Sequence, residues 1–600
     1  MINSLMYQLE KIKQTIAEVI NKALKKKAVA AADLVYPPKP EFGDASLSCY
    51  NIAKLFNKSA VEMAEFLVRK IKLNDVVVAA KAIGPFINFT FSKTKLAQGA
   101  IGEILDKKIK YGFNKSGGNK KVMIEFSNAN THKEYHVGHL RNIAYGHAIT
   151  KILAANGFKA MPVSYINDFG IHAAKTIWAL EKFYKSPLPP FIKGGISGKG
   201  YFLGKVYVRA CRELANNEVG KAEVAEIMKK IASRSGQEYK LWQKTRNWSI
   251  DGFAKIYKEL GVKFGHIFYE SEFIDKGLEL VAELYKKEFL IKSQGAIIAN
   301  LEKYNLGVLV FLRADGTALY PVADLALAEE KFKKYKIDQS IHVVDVRQSL
   351  YFKQSFKLLE LLGYTSTKLG TSKKEMKHLG YEFVKLPEGM MSSRTGNVIT
   401  YEDLRAQGMK KAAAETKKRH KNWSQKQVSA VADKLVNGAL KFEMLKTGAD
   451  KVITFDLAQA LRFDGFTAAY LQYTNARIQS ILRKSQIPRP PCFAKRSGQA
   501  NPKSQKINYN NLVEQKENNI INKLAKYPEV VEAAGKNYAP DELAKFLFDL
   551  AREFNDYYHA VPVLKAKTDI RQARLALISA VSQVIKNGLG LLGIEAVEEM

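Results

Sequence analysis

Between Val122 and Asn142 the chain reads VMIEFSNANTHKEYHVGHLRN: an apolar run, a polar turn, then a helical pattern opening on His136, Gly138 and His139. A strand that passes through a turn into a helix is the elementary unit of a parallel sheet. This stretch therefore points to an α/β fold with crossover helices for the region that carries it. Further Val- and Ile-rich runs, AMPVSYI and IHVVDV, recur between about 119 and 405, each followed by segments of 3.6-residue period. The pattern predicts a doubly wound, Rossmann-like parallel sheet. PPFIKGGISGKG opens an expected insertion near 188–245. VLVFLRADGTALY reads as a hairpin around Asp315-Gly316, with a helix following at Val322–Phe332.

Six hundred residues exceed what one hydrophobic core serves. Residues 1–112 read as a small α+β domain. An amphipathic helix carries apolar residues from Leu5 to Leu24, prolines at 37, 38 and 40 break the chain, and a helix at Ala60–Lys70 precedes strands VVVAA and FINFTF. From 406 to 600 the pattern is all helical, beginning with the basic run Lys410–Lys421. Helices are expected at Val428–Leu445, Asp456–Leu461, Ala468–Arg483, Leu543–Tyr558 and Ile570–Asn587, with a loop at Gln486–Asn508.

Lys and Arg number 94 against 59 Asp and Glu, a formal charge of +35. A polyanionic partner such as nucleic acid explains that excess, and so does a lysine-rich solvated surface. Cys49, Cys211 and Cys492 are far apart and have no metal-ligand spacing. No run approaches a membrane span and no signal-peptide pattern opens the chain. The expectation is a cytoplasmic protein with no membrane association.

His136 and His139 lie three apart at a helix start, where unpaired N–H groups and a partial positive charge suit a phosphate. Gly138 between them allows close approach. Neutral imidazole donors and a lysine would stabilise charge building on an α-phosphate. The alternative is zinc, since His132, His136, His139 and His147 fall within one short stretch. No Cys accompanies them, and HVGH is not HExxH, so no metal site is expected. Tyr320 and Asp324 are one helical turn apart, and Glu125 ends the strand before the histidines. Two carboxylates and a phenol suit a cationic group such as a guanidinium, although each alone reads more readily as a cap or surface pair. Met391, Ser392, Ser393 and Arg394 form a glycine-bounded loop that either holds pyrophosphate or is an ordinary polar turn. In the tail, Tyr473, Asn475 and Arg477 reach single-stranded bases or belong to a core.

Taken together, these motifs resemble the arginyl-tRNA synthetases of class I, over nearly the whole chain. FGDASLSC and AIGPFINF resemble the additional N-terminal domain that contacts the tRNA elbow, and HVGH matches the class signature HIGH. Leu461 to Lys484 resembles the DALR-type anticodon-binding domain. The resemblance implies ATP-dependent ligation of arginine to tRNA(Arg) through an arginyl-adenylate. ATP enters as a substrate with Mg2+, without a tightly bound cofactor, and the protein is a monomer. It places Glu125, Asn130, His136, Tyr320, Asp324 and Gln348 at the arginine-binding positions, with Glu125, Tyr320 and Asp324 on the guanidinium. His136, Gly138, His139 and Met391–Arg394 would serve ATP. The second signature, KMSKS, lacks both lysines here, and the family's remedy is a lysine just upstream of HIGH, which is Lys133. Lys133 is preferred over Lys385. A catalytically impaired RNA-binding paralogue and a class I synthetase for another amino acid are the alternative readings.

Overall fold

The computed structural model describes residues 6–184, 198–365, 374–387, 389, 399–485 and 507–600. Leu5, Cys492, most of the Pro/Gly-rich stretch, most of the expected loop at 486–508, and Met391, Ser392, Ser393 and Arg394 lie outside these residues.

The central sheet contains β1 (Lys121–Glu125), β2 (Lys159–Ile166), β3 (His266–Tyr269), β4 (Gln339–Asp345) and β5 (Glu375–Tyr381). All are parallel, in the order β5-β4-β1-β2-β3. β1 is central, and Val122, Met123 and Ile124 are buried on both its faces, so its run is apolar throughout. The chain crosses from β1 to β2 on one side and returns later to β4 on the other. That reversal opens a crevice at the carboxyl ends of the strands.

α1 (Val137–Ala155) makes the first crossover. It is apolar nearly all round because it is buried nearly all round. Gly146 lets it lie on Phe126: a Cβ there would come within 2.2 Å of the ring. Asn142 donates to the Val343 carbonyl (2.7 Å) and the Tyr381 hydroxyl (3.0 Å), tying α1 to β4 and β5. Arg141 is fully buried, and its guanidinium donates to the carbonyls of Gly448 (3.0 Å), Ala449 (3.2 Å) and Lys451 (2.8 Å).

The expected insertion is helical. α2 (Ile171–Phe183), α3 (Lys199–Glu213), α4 (Glu218–Ala232) and α5 (Gly236–Glu259) share a core around Trp178, Leu203, Val224, Trp242 and Trp248. The hairpin reading of 308–320 needs correction. The expected turn is closed by Arg313 N–H to Thr317 O (3.0 Å), Leu319 N–H to Phe311 O (2.9 Å) and the bridge Leu312–Ala318, but the strand Val308–Leu312 finds its long partner upstream, in Ala296–Asn300 of a three-stranded antiparallel sheet. A local β pattern does not say which neighbour supplies the partner. α6 (Tyr320–Lys333) follows.

The N-terminal domain is a four-stranded antiparallel sheet with helices at Gln8–Leu24, Ala60–Lys70 and Lys93–Lys107. The tail packs as long helices. One of them, Gln515–Asn537, was not foreseen because it contains Pro528. It covers the N-terminal domain: Tyr527 stacks on Tyr111 at 5.9 Å, and Tyr111 donates to the Leu524 carbonyl (3.1 Å). Glu529 accepts from Lys13 (2.9 Å) and Tyr36 (2.6 Å). A continuous apolar core thus runs from Tyr7 to Val597. No described helix is long and apolar enough to cross a membrane.

Candidate active site

A cleft of about 1260 Å³ opens at the carboxyl ends of the central strands. Its walls bring together Glu125, Asn130, Lys133, His136, Gly138 and His139 from the first strand–helix unit. Tyr320, Asp324 and Gln348 face them from α6 and the end of β4. Every described candidate from the catalytic region therefore lines one space. Asn130 is held by a parallel bridge to Asn167, and Gln348 and Tyr320 are exposed at the mouth.

His136 is the N-cap of α1 and His139 its third residue, and the two rings form a reciprocal cap. Gly138 N–H donates to His136 Nδ1, and His136 N–H donates to His139 Nδ1, each at 3.1 Å. Both Nδ1 atoms are acceptors, so in the neutral rings the hydrogen sits on Nε2. Both rings stay neutral. Burial and then the nearby Lys133 lower His136 to about 4, and burial, His136 and Lys133 push His139 well down. The centroids lie 4.0 Å apart. A Cβ at Gly138 would meet the His136 ring at 2.9 Å. The result is two neutral Nε2–H donors at a helix N-terminus.

His132 differs. It is fully buried with a positive φ of 62°, and its ring bonds Thr131 (2.9 Å) and Thr245 (2.8 Å). Among the described residues no three His, Cys, Asp or Glu side chains gather as a metal site.

The other end of the cleft is acidic. β1 and β4 run in register, so Glu125 faces His342, whose Nδ1 lies 3.2 Å from the carboxylate. Lys331, two turns along α6 from Asp324, forms a buried ion pair with Glu125, and Asn128 donates to it at 3.0 Å. Burial alone would raise the Glu125 carboxyl, but Lys331 and His342 outweigh it and hold it well below the usual range. Its charge is thus already matched inside the protein.

Asp324 is not matched in this way. Its carboxylate accepts from the Tyr351 hydroxyl, and burial raises it to about 6 against that bond. Glu270, immediately after β3, is also buried, and is raised to about 8 by burial and by Asp324 and Asp168, against a 3.2 Å bond from Asn167. Asp168 fixes this corner by accepting from Ser271 N–H (2.9 Å) and Ser271 Oγ (2.7 Å) while paired with Arg246 of α5. Asp324 lines the cleft, Glu270 lies outside its lining within electrostatic reach of Asp324, and a cation placed near both would favour their charged forms. Sequence reasoning missed Glu270, Lys331, His342 and Tyr351. The available signal for Glu270 was its position: HIFYESE ends a strand of the parallel sheet with an acid where ligands gather.

The described residues flanking the second motif bind the first. Ile399 O accepts from Val137 N–H (3.2 Å), and Tyr401 N–H donates to Tyr135 O (2.7 Å). Lys385 is exposed and is not among the residues lining the cleft.

In the tail, Asn475 needs correction as an RNA contact. It is fully buried, donating to Val597 O at 2.8 Å and accepting from Ser582 at 2.7 Å. A helical bundle absorbs its amide, leaving nothing for a base. Tyr473 and Arg477 are part-exposed. Arg477 bonds the Tyr473 hydroxyl (2.9 Å) and Asn555 (2.6 Å), and it lies over the Tyr473 and Tyr558 rings.

Three family models match the chain. The arginyl tRNA synthetase N terminal domain covers residues 10–91, the catalytic domain of tRNA synthetases class I (R) covers 100–456, and the DALR anticodon binding domain covers 471–600. The arginine–tRNA ligase of Bdellovibrio bacteriovorus is 35% identical over 94% of each chain. That of Clostridium acetobutylicum is 32% identical over 98% of this chain and all of its own. The Thermus thermophilus arginyl-tRNA synthetase structure superposes with a TM-score of 0.77 at 25% identity, over 98% of this chain and all of that one. The Plasmodium falciparum arginyl-tRNA synthetase shares the fold, with a TM-score of 0.75 at 21% identity over 99% of this chain. Together with the α/β catalytic core and the helical tail, these matches mean that the chain belongs to the class I arginyl-tRNA synthetases, enzymes that ligate arginine to tRNA with ATP.

Proposed function

We propose that arginine lies along the cleft with its guanidinium between Asp324 and Glu270 and its carboxylate towards the two imidazoles. The observation that carries this reading is the polarity of the cleft: the buried Asp324 carboxyl at one end, with Glu270 within its electrostatic reach, and neutral Nε2–H donors and Lys133 at the other. Tyr320 closes the acidic end, and Asn130 and Gln348 hold the α-amino and carboxylate groups. Glu125 supports the pocket floor as the partner of Lys331 and His342 instead of meeting the guanidinium itself.

The arginine carboxylate oxygen attacks the α-phosphorus of ATP, and the bond to pyrophosphate breaks. Negative charge grows on the α-phosphoryl oxygens and the leaving group. His136, His139 and Lys133 meet that charge with donors already in place. Mg2+ arrives with ATP as part of the substrate. The 2′-OH of the terminal adenosine of tRNA(Arg) then attacks the adenylate carbonyl, and AMP leaves. The N-terminal domain and the tail, with Tyr473 and Arg477 on its surface, are read as the tRNA-contacting parts. The protein is read as a monomer acting in the cytoplasm.

Arginine-dependent ATP–pyrophosphate exchange, with and without tRNA(Arg), tests this reading. Exchange that needs tRNA is the expected result. Exchange without it keeps the enzyme but removes RNA-dependent assembly of the site. No exchange from folded protein in either case points to an RNA-binding paralogue.

The acidic end also sets a pH dependence. An acid raised above its ordinary value is neutral below its shifted value and charged above it, and the guanidinium requires the charged form. Arginine affinity should therefore rise between pH 6 and 8, by roughly tenfold per unit while one carboxyl must lose its proton, and level off above. Calorimetry at pH 7 in two buffers of different ionisation heat should register proton release. A flat affinity across that window would remove Glu270 from the pocket.

A further inference from the structure

We propose that α3 of the insertion is the positioning element for the Lys133 ammonium, with Tyr207 as the residue that places it. The proposal rests on the reading that Lys133 serves the ATP phosphates. Two contacts fasten α3 to the segment carrying Lys133. Gly204 lies directly on the next residue, Glu134: a Cβ on Gly204 would come within 2.2 Å of Glu134 Cγ and 3.0 Å of its backbone nitrogen. Lys205 then pairs with the buried Glu134 carboxylate at 3.0 Å. Tyr207, three residues beyond Gly204, shares that face of the helix. Its ring centroid lies 5.3 Å from Lys133 Nζ, and both side chains line the cleft.

The chemistry of the neighbourhood gives that ring its role. Lys133 acts on the nearby rings of His136, His139 and His172, all held neutral. A lysine carries its charge on a flexible stem and does not by itself keep one direction. The negative face of an aromatic ring favours the charged ammonium and gives it a preferred seat. Tyr207 thus supplies the direction that a lysine outside its usual loop lacks. Because Tyr207 acts through Lys133, it is a positioning residue.

The test is a double-mutant cycle in arginine-dependent pyrophosphate exchange, using the full chain with tRNA. Tyr207→Leu should lower kcat on the order of tenfold with the arginine KM unchanged. Tyr207→Phe, which keeps the ring, should rescue most of that loss. In a Lys133→Ala background Tyr207→Leu should have no further effect. Lys205→Ala, at a half-exposed position, is the second variant. It loosens Glu134 and should slow kcat in the same direction, again silently without Lys133. A wild-type kcat for Tyr207→Leu, or an equal loss in the Lys133→Ala background, overturns the proposal and leaves the Lys133 reading standing. Wild-type exchange by Lys133→Ala overturns both.

Discussion

Lys133→Ala is expected to slow arginine-dependent pyrophosphate exchange by roughly a hundred- to a thousandfold, the loss typical of removing one preorganised donor to transition-state charge. Binding of tRNA should persist, because the N-terminal domain and the tail, proposed above to hold most of the RNA, are untouched by the substitution. The second signature reads Met390-Met391-Ser392-Ser393-Arg394, without either lysine of the class signature, and the displaced-lysine reading gives that role to Lys133. Lys385 is exposed and outside the cleft lining, whereas Lys133 lines the cleft and lies close enough to depress both His136 and His139. Its effect should fall on kcat more than on arginine binding, since the α-phosphoryl charge grows only as the reaction proceeds. Exchange at the wild-type rate would sink the displaced-lysine reading.

Asp324→Ala should raise the arginine KM about a hundredfold or more, with the ATP KM little changed. Removing one partner of a buried charged pair costs about 2–5 kcal/mol, because the other charge is left without compensation. The substitution also strands the Tyr351 hydroxyl, which donates to this carboxylate. Asp324→Asn keeps an acceptor for Tyr351 and isolates the charge, so it separates the two contributions. An unchanged arginine KM in both variants would place the guanidinium elsewhere.

The middle of the parallel sheet was legible because β1, β2 and β4 are short, apolar and followed by helical patterns, whereas the edge strands were not read: β3 is only HIFY, and β5, EMKHLGY, is largely polar. β1 and α1 needed no long-range information. What escaped was set by residues distant in sequence. Glu125 looks like a substrate carboxylate until Lys331 and His342 are brought to it by α6 and β4. Glu270 looks like a strand-end cap until Asp168, Asn167 and Asp324 surround it. The reverse occurs in the tail, where Asn475 reads as a base contact but is consumed by Val597 and Ser582. The helix at Gln515–Asn537 was missed for a local reason: Pro528 argues against a helix interior, yet tertiary packing retains it there. Propensity lost to burial, since Pro528 is buried beside Tyr527, whose ring stacks on Tyr111 of the N-terminal domain.

That joint has a consequence for how the protein is made. Tyr111 and the end of the first domain are covered by Gln515–Asn537 and by Asn587, which bonds the Lys108 carbonyl at 2.8 Å. These covering residues begin roughly 400 residues after Tyr111 and leave the ribosome long after it. At ordinary elongation rates of about 5–20 residues per second the nascent domain waits roughly twenty seconds to a minute and a half for them. During that time its apolar face is open to chaperones and to neighbouring chains. A product cut short before Gln515 never closes that face, so incomplete translation exposes itself to quality control.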